Sequence, residues 1–246
     1  MSYGRFAMTQ SIVIYQDEGV GEFGAKCLAG LFRGDDVWMA SAEAVIDGRI
    51  LQMADIFIMP GGADLPYCKK LNGAGNKNIR AFVEDGGTYL GICAGAYYAC
   101  SALEFHKGRS DEISGPRELA LIDAVAYGSL PELAPYYDLT PLSASIVELS
   151  TEDGPVKSFY HGGPSFRFTG DKAYLYASFA QHDGAAIITR DVGDGRVVLS
   201  GAHLEVGADD LASYPVETAE EKSHIEKLAR MLAGSNSKDI LKDLLA

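Results

Sequence analysis

The stretch Thr88-Tyr-Leu-Gly-Ile-Cys-Ala-Gly-Ala-Tyr-Tyr constrains this chain more than any other. Tyr89 to Ile92 is a short apolar run, and it predicts a buried strand. Cys93-Ala94-Gly95 is a small-residue turn, and Ala96 to Leu103 is a helix-forming run. A strand that passes at once into a helix must bend sharply at the residue between them, the geometry of a nucleophile elbow. The bend lifts the Cys93 thiol out of the sheet. A side chain at Gly91 or Gly95 would crowd it. The following helix turns its positive end toward the sulfur and favours the thiolate, so a depressed thiol pKa is expected. The competing reading of Cys93 is a buried structural cysteine, since free Cys is among the most buried residue types.

A second strand pattern, Arg196-Val-Val-Leu-Ser-Gly-Ala-His-Leu-Glu, ends in His203-x-Glu205. A thiol nucleophile needs a base, and the base needs an orienting group. His203 and Glu205 suit those roles, and in a continuing extended segment they would share a face. His-x-Glu alone is common. Downstream of a Gly-x-Cys-x-Gly elbow it gains weight.

Composition bounds the function. The chain has 246 residues, a hydrophobic fraction of 47% and a formal net charge of −13. The charge argues against nucleic-acid binding, which needs a basic face, and against anionic membrane surfaces. No apolar run is long enough to span a bilayer. Met1 to Met8 lack the apolar core of a signal peptide, although a leader trimmed from the chain stays open. Cys27, Cys68, Cys93 and Cys100 show no metal-like pair spacing, so neither a metal nor a cofactor is expected. Reduced cysteines and the missing signal suggest a cytoplasmic setting.

Along the chain, Ser11 to Tyr15, Val37 to Ala40 and Asp55 to Met59 read as strands, the last stopped by Pro60-Gly61-Gly62. A turn at Asp17 to Gly21 leads into a helix through Phe23, Leu28 and Leu31. Asn78 to Asp85 read as a helix closed by Gly86-Gly87. This alternation predicts an α/β fold: a flavodoxin-like, mostly parallel sheet with helices on both faces. From Glu112 to Leu149 turn residues such as Gly115-Pro116, Pro131, Pro135 and Pro141 dominate. Lys157 to Tyr160, Ala173 to Ala177 and Ala185 to Thr189 look like antiparallel strands, giving a β-rich second half. Asp191 to Arg196 reads as a hairpin turn. Glu217 to Leu232 form an amphipathic helix. Residues 1–246 are expected to make a single domain with its core over about 11–233. Gly234-Ser-Asn-Ser then leads to a tail, 234–246, in which Ile240 to Leu245 are either a short helix or frayed.

Taken together, Pro60-Gly61-Gly62, Gly91-Ile92-Cys93-Ala94-Gly95 and His203-x-Glu205 resemble the class I glutamine amidotransferase superfamily. Pro60-Gly-Gly-Ala-Asp-Leu-Pro-Tyr, Leu71-Asn-Gly-Ala-Gly-Asn and Tyr89-Leu-Gly-Ile-Cys-Ala-Gly-Ala-Tyr-Tyr narrow the resemblance to the N-terminal domain of biotin–protein ligases and its stand-alone bacterial relatives, and Tyr160-His-Gly-Gly-Pro resembles a further family segment less tightly. The resemblance runs from about Ser11 to Glu205. It implies Cys93 as nucleophile, His203 as base and Glu205 as orienter, with the N–H groups of Gly62 and Ala94 as oxyanion hole. Gly61, Asp64, Tyr67, Tyr97 and His161 would line the substrate site, Asp64 and Tyr67 on the loop after the third strand. A related branch of the superfamily holds its thiol with a glutamate after the first strand, where Asp17 and Glu18 stand here. A solvated turn is the other reading of that pair.

The sequence also departs from working glutaminases. They carry a glutamine two residues after the second elbow glycine, and Tyr97 stands there. Tyr97-Tyr98 either fills the glutamine pocket or builds a different one. The ligase catalytic domain is missing, so biotin ligation is not expected. Asn72 to Asn76 lack the lysine and hydroxyl of a phosphate loop. His182-Asp183 resembles a turn, and His106 and His224 carry no context. Two functions remain open. One is a cysteine-dependent amidase-like enzyme acting on a small amide or acyl compound. The other is a non-catalytic ligand-binding or regulatory domain, with a small-molecule ligand and a protein partner left open.

Overall fold

The computed structural model describes residues 9–134 and 137–246. The leader question at Met1 to Met8 and the turn expected at Pro135 lie outside the described residues. Strands β1 (Ser11–Tyr15), β2 (Asp36–Ala40), β3 (Ile56–Met59) and β4 (Thr88–Ile92) alternate with helices α1 (Glu22–Leu31), α2 (Ala42–Asp47), α3 (Asp64–Leu71) and α4 (Ala74–Glu84). After the elbow come α5 (Ala94–Ala99), β5 (Cys100–Phe105), β6 (Ile113–Pro116), β7 (Ile122–Gly128), β8 (Ser145–Thr151) and β9 (Gly154–Tyr160). Then follow β10 (Ser165–Phe168), β11 (Tyr174–Phe179), β12 (Ala185–Val192), β13 (Gly195–Ser200), α6 (Ala219–Leu232) and α7 (Ser237–Leu245).

The first part of the sheet runs β2-β1-β3-β4-β13, with every neighbouring pair parallel. Both faces of β1, β3 and β4 are buried, which is why their sequences are continuous apolar runs, whereas the edge strand β2 leaves Trp38 and Met39 exposed. Val13, Tyr15, Phe57, Met59 and Tyr89 face one side, under Val45 of α2, Leu71 of α3 and Ile79 and Phe82 of α4. Ile12, Ile14, Ile56, Ile58, Leu90 and Ile92 face the other, under Leu28 of α1 and Leu241, Leu244 and Leu245 of α7. The C-terminal segment is therefore a packed helix, the first of the two states its sequence allows. From β13 onward the sheet continues through antiparallel β12 and β10 to β7, then β5 and β6, with β11, β8 and β9 branching from β12.

Register brings three chain reversals to one edge. Gly91 of β4 lies beside Met59 of β3 on one side and Leu199 of β13 on the other. Cys93, Pro60-Gly61-Gly62 and the segment leading to His203 therefore all emerge at the carboxyl ends of adjacent strands, where open α/β sheets bind ligands.

Several elements differ from the sequence reading. The helix expected over Ala96 to Leu103 ends at Ala99, because Cys100 to Phe105 pair in parallel with β7, some twenty residues downstream. That ladder outweighs local helix propensity. Asp64 and Tyr67 belong to α3 and not to a loop. Pro66 sits in the first turn of that helix, where its missing N–H costs nothing. Helix α4 begins four residues earlier than expected, at Ala74. Helix α2 was not foreseen. Its start is capped by Ser41, whose side chain accepts from the Ala44 N–H, and by Asp17, whose carboxylate accepts from the Ala42 N–H at 2.8 Å.

Candidate active site

Cys93 occupies the bend with φ 50° and ψ −107°, a positive φ that non-glycine residues rarely adopt. The surroundings hold it there. Its N–H donates to the Ser200 carbonyl at 2.9 Å, and its own carbonyl accepts from Ala96 and Tyr97, each at 3.0 Å. A β-carbon on Gly95 would stand 2.0 Å from the Met59 carbonyl oxygen, so only glycine lets the elbow close onto β3. Strain at one residue, locked by neighbours, is a pattern concentrated at functional sites.

His203 lies against this bend. Its N–H donates to the Phe159 carbonyl at 2.8 Å, which ties it to β9. Nδ1 and Glu205 Oε1 are 2.8 Å apart, and the Cys93 thiol, which donates to the His161 carbonyl at 3.8 Å, lies beside the same ring across Gly61. The expected shared face of an extended strand is not how the pair forms. The chain turns after His203, with the Val206 N–H donating back to the His203 carbonyl at 3.2 Å, and the turn swings Glu205 under the ring. Glu205 is fully buried, and its Oε2 has no hydrogen-bond partner among the described residues. Burial by itself lowers the His203 pKa, but the Glu205 charge and the bonds to Cys93 and Glu205 outweigh it and hold the ring well above its usual value.

Gly61 completes the convergence: a β-carbon there would lie 2.9 Å from His203 Cε1 and 3.3 Å from the Cys93 β-carbon. The N–H groups of Gly62 and Ala94 have no acceptor among the described residues. They flank the thiol from β3 and from the start of α5. Tyr67 stands behind them. It is fully buried and its hydroxyl donates to the carbonyls of Pro60 at 3.2 Å and Gly61 at 3.3 Å. It braces the Pro-Gly-Gly segment from behind and is not among the residues that line the two cavities at Cys93.

Two cavities meet at Cys93. The first, about 310 Å³, is bounded by Gly61, His203, His161, Phe23, Phe159 and Tyr214. The second, about 380 Å³, runs past Ala94, Asp64 and Tyr97. Tyr97 fills the space between α5 and the Gly162 turn, its hydroxyl donating to the Gly162 carbonyl at 3.3 Å, and packs on Phe105. Tyr98 points away from the site, fully buried, and bonds Asn76. A larger hollow of about 660 Å³ lies near Gln10, Asp55 and Thr88, at the opposite ends of the strands. It holds none of the expected site residues.

His161 lies in the first cavity, its ring between Ser143 Oγ at 3.0 Å and the Tyr214 hydroxyl at 3.1 Å. Burial, with the His203 charge nearby, lowers its pKa to about 4. Asp17 and Glu18 do not reach the thiol. Asp17 caps α2, and both carboxylates lie within 3.7 Å of Lys70. The sequence missed the aromatic wall of Phe23, Tyr137, Phe159 and Tyr214, because these residues come from four distant segments without a shared motif. It also missed His106, whose ring is held between Asp111 Oδ2 at 2.7 Å and Ser129 Oγ at 2.8 Å and stacks on Phe105. Among the described residues no group of three His, Cys, Asp or Glu side chains is placed to hold a metal ion. No helix among them is long and apolar enough to cross a membrane.

The family model described as biotin-protein ligase, N terminal, matches residues 12–246. The chain belongs to that family. An uncharacterised protein of Chlamydia muridarum is 31% identical over 211 residues, covering 80% of each chain. The biotin–protein ligase of Schizosaccharomyces pombe is 32% identical over 186 residues, which is 72% of this chain and 29% of that enzyme. Among solved structures, a glutamine amidotransferase superposes with a TM-score of 0.56 at 19% identity, covering 90% of this chain and 98% of that one. A second, from Thermotoga maritima, has a TM-score of 0.56 at 12% identity, with 96% and 98% covered. At these identities the likeness is one of fold: the biotin–protein ligase N-terminal family shares the glutamine amidotransferase-like architecture.

Proposed function

We propose that this member of the biotin–protein ligase N-terminal family is a cysteine-dependent amidase-like enzyme. The supporting observation is the row Cys93, His203, Glu205 at the carboxyl edge of the sheet, with a buried carboxylate under the imidazole and two unengaged N–H groups beside the thiol. In this reading Sγ attacks the carbonyl carbon of a small amide and its proton passes to His203. The N–H groups of Gly62 and Ala94 stabilise the oxyanion. The C–N bond breaks as His203 returns the proton to the leaving nitrogen, which departs as the amine. Water, deprotonated by His203, then attacks the thioester carbonyl and releases the acid, regenerating the thiol. Glu205 keeps the imidazole oriented and stabilises its charged form. The same reading places the chain in the cytoplasm, where four free thiols persist.

A second reading is a non-catalytic ligand-binding or regulatory domain, and Tyr97 in the position of the glutaminases' glutamine favours it. A panel of small amides bearing a fluorogenic aromatic amine separates the two. Release of the amine by the wild type and not by Cys93→Ala supports the enzyme. Binding seen by thermal shift, with no release from any amide, supports the second reading and overturns the first.

A further inference from the structure

The two cavities that meet at Cys93 differ in chemistry. His203 lies on the wall of the first and not of the second. A leaving group protonated by His203 therefore departs into the first, and the acyl chain of the same amide extends into the second, past Ala94. That second wall is built from Leu65, Pro66, Leu103, Phe105 and Ile113, a surface suited to methylene groups. Its charged residues are Asp64 and Asp111, with no Lys, Arg or His among its described lining.

Asp64 is the acceptor in waiting. Arg117 Nε donates to its Oδ2 at 2.6 Å, with the Arg and Asp side chains only 7% and 11% exposed. Its Oδ1 has no partner among the described residues. Both oxygens of Asp111 are occupied, one by His106 at 2.7 Å and one by Arg109 at 3.2 Å. A chain ending in a carboxylate would meet the open Asp64 oxygen, an acceptor facing an acceptor, and no cation on the wall. A chain ending in an N–H group would find Asp64 Oδ1 free.

We infer that the second cavity selects acyl groups whose apolar chain ends in an uncharged or cationic N–H donor, and rejects chains that end in a carboxylate. This rests on the amidase-like reading of Cys93. It names the substrate class: amides of an ω-amido or ω-amino alkanoic acid.

Alkyl chloromethyl ketones test it, because their acyl chain must lie where the substrate's does. Sγ displaces chloride, a C–S bond replaces the C–Cl bond, and the thiol proton passes through His203 to solvent. Three such ketones of equal chain length, ending in an acetamide, a methyl or a carboxylate, are compared by the rate of Cys93 modification in the full chain. The expected order is acetamide, methyl, carboxylate, with at least about a tenfold gap between first and last, the order of one good hydrogen bond in a closed site. Asp64→Asn should shrink the gap. Because that variant leaves Arg117 without its charged partner, Leu65→Arg provides an independent test: Leu65 is 48% exposed, and a cation there should turn the preference toward the carboxylate. Equal rates for all three ketones, or a wild-type preference for the carboxylate, overturn the inference. Iodoacetamide, which has no chain, separates the two failures. Rapid modification by iodoacetamide with none by any ketone overturns the cavity assignment alone. No modification by any reagent overturns the amidase-like reading as well.

Discussion

Replacing Glu205 with Gln tests the physics beneath His203 most directly. The substitution keeps the shape and removes the charge. Glu205 is fully buried, and its Oε1 lies 2.8 Å from His203 Nδ1. A hydrogen bond to a charged group contributes about 1.5–3 kcal/mol, and that is the expected loss while His203 is protonated. The sign follows from linkage. His203 has a higher pKa in the folded chain than its ordinary value. Its charged form therefore stabilises the fold fully below about pH 6.5, and that contribution is lost as pH rises through the raised folded value. Glu205→Gln removes the charge that opposes the effect of burial, so the His203 pKa should fall. Urea unfolding of wild type and Glu205→Gln should show the largest difference at about pH 6, narrowing at high pH, because the Oε2 position is unpartnered in both chains. A difference that is the same at both ends of the pH range would refute the argument, because the carboxylate would then not be what raises His203.

Iodoacetamide near neutral pH should modify Cys93 at least about tenfold faster than the other cysteines, as read by peptide mass spectrometry. Burial pushes Cys27 up to about 12 and also raises Cys68 and Cys100; faster labelling of any of these would count against an activated elbow. Free L-glutamine should release little or no ammonia, because Tyr97 occupies the space beside Gly162. Robust turnover that is abolished in Cys93→Ala would overturn this. His161, lowered to about 4 by burial, should make the fold acid-sensitive. Stability is full above about pH 6.5 and falls as pH drops toward 4, by up to about 3 kcal/mol at 1.36 kcal/mol per pKa unit. His161→Gln should flatten the acid limb of the stability curve, and an unchanged limb would show that other groups cause it.

Strands β1 and β3 were legible because they are buried on both faces, so Ser11 to Tyr15 and Asp55 to Met59 carry apolar runs that suit a covered strand. The elbow was legible for a local reason too: Gly91 and Gly95 leave room that a side chain would take from the Gly95 and Met59 carbonyls. Where helices were missed or overrun, the deciding contacts were not local. Cys100 to Phe105 have helical propensity and become β5 because β7 offers a parallel ladder. Asp64 and Tyr67, expected on a loop, lie in α3, and Tyr67 supports Pro60 and Gly61 from behind.

The sequence by itself determined the α/β class, the bend at Cys93 and the His203-x-Glu205 pattern at the end of a strand, since these depend on patterns within a few residues. Tertiary structure alone decided what stands around the thiol. Parallel pairing of β13 beside β4 carries His203 to the elbow across more than a hundred residues of chain. A turn at Leu204, not an extended strand, places the Glu205 carboxylate under the ring. The aromatic wall of one cavity and the apolar, carboxylate-bearing wall of the other are assembled from segments with no common motif. Packing density forces those side chains into contact only once the sheet has closed, so no local pattern encodes them.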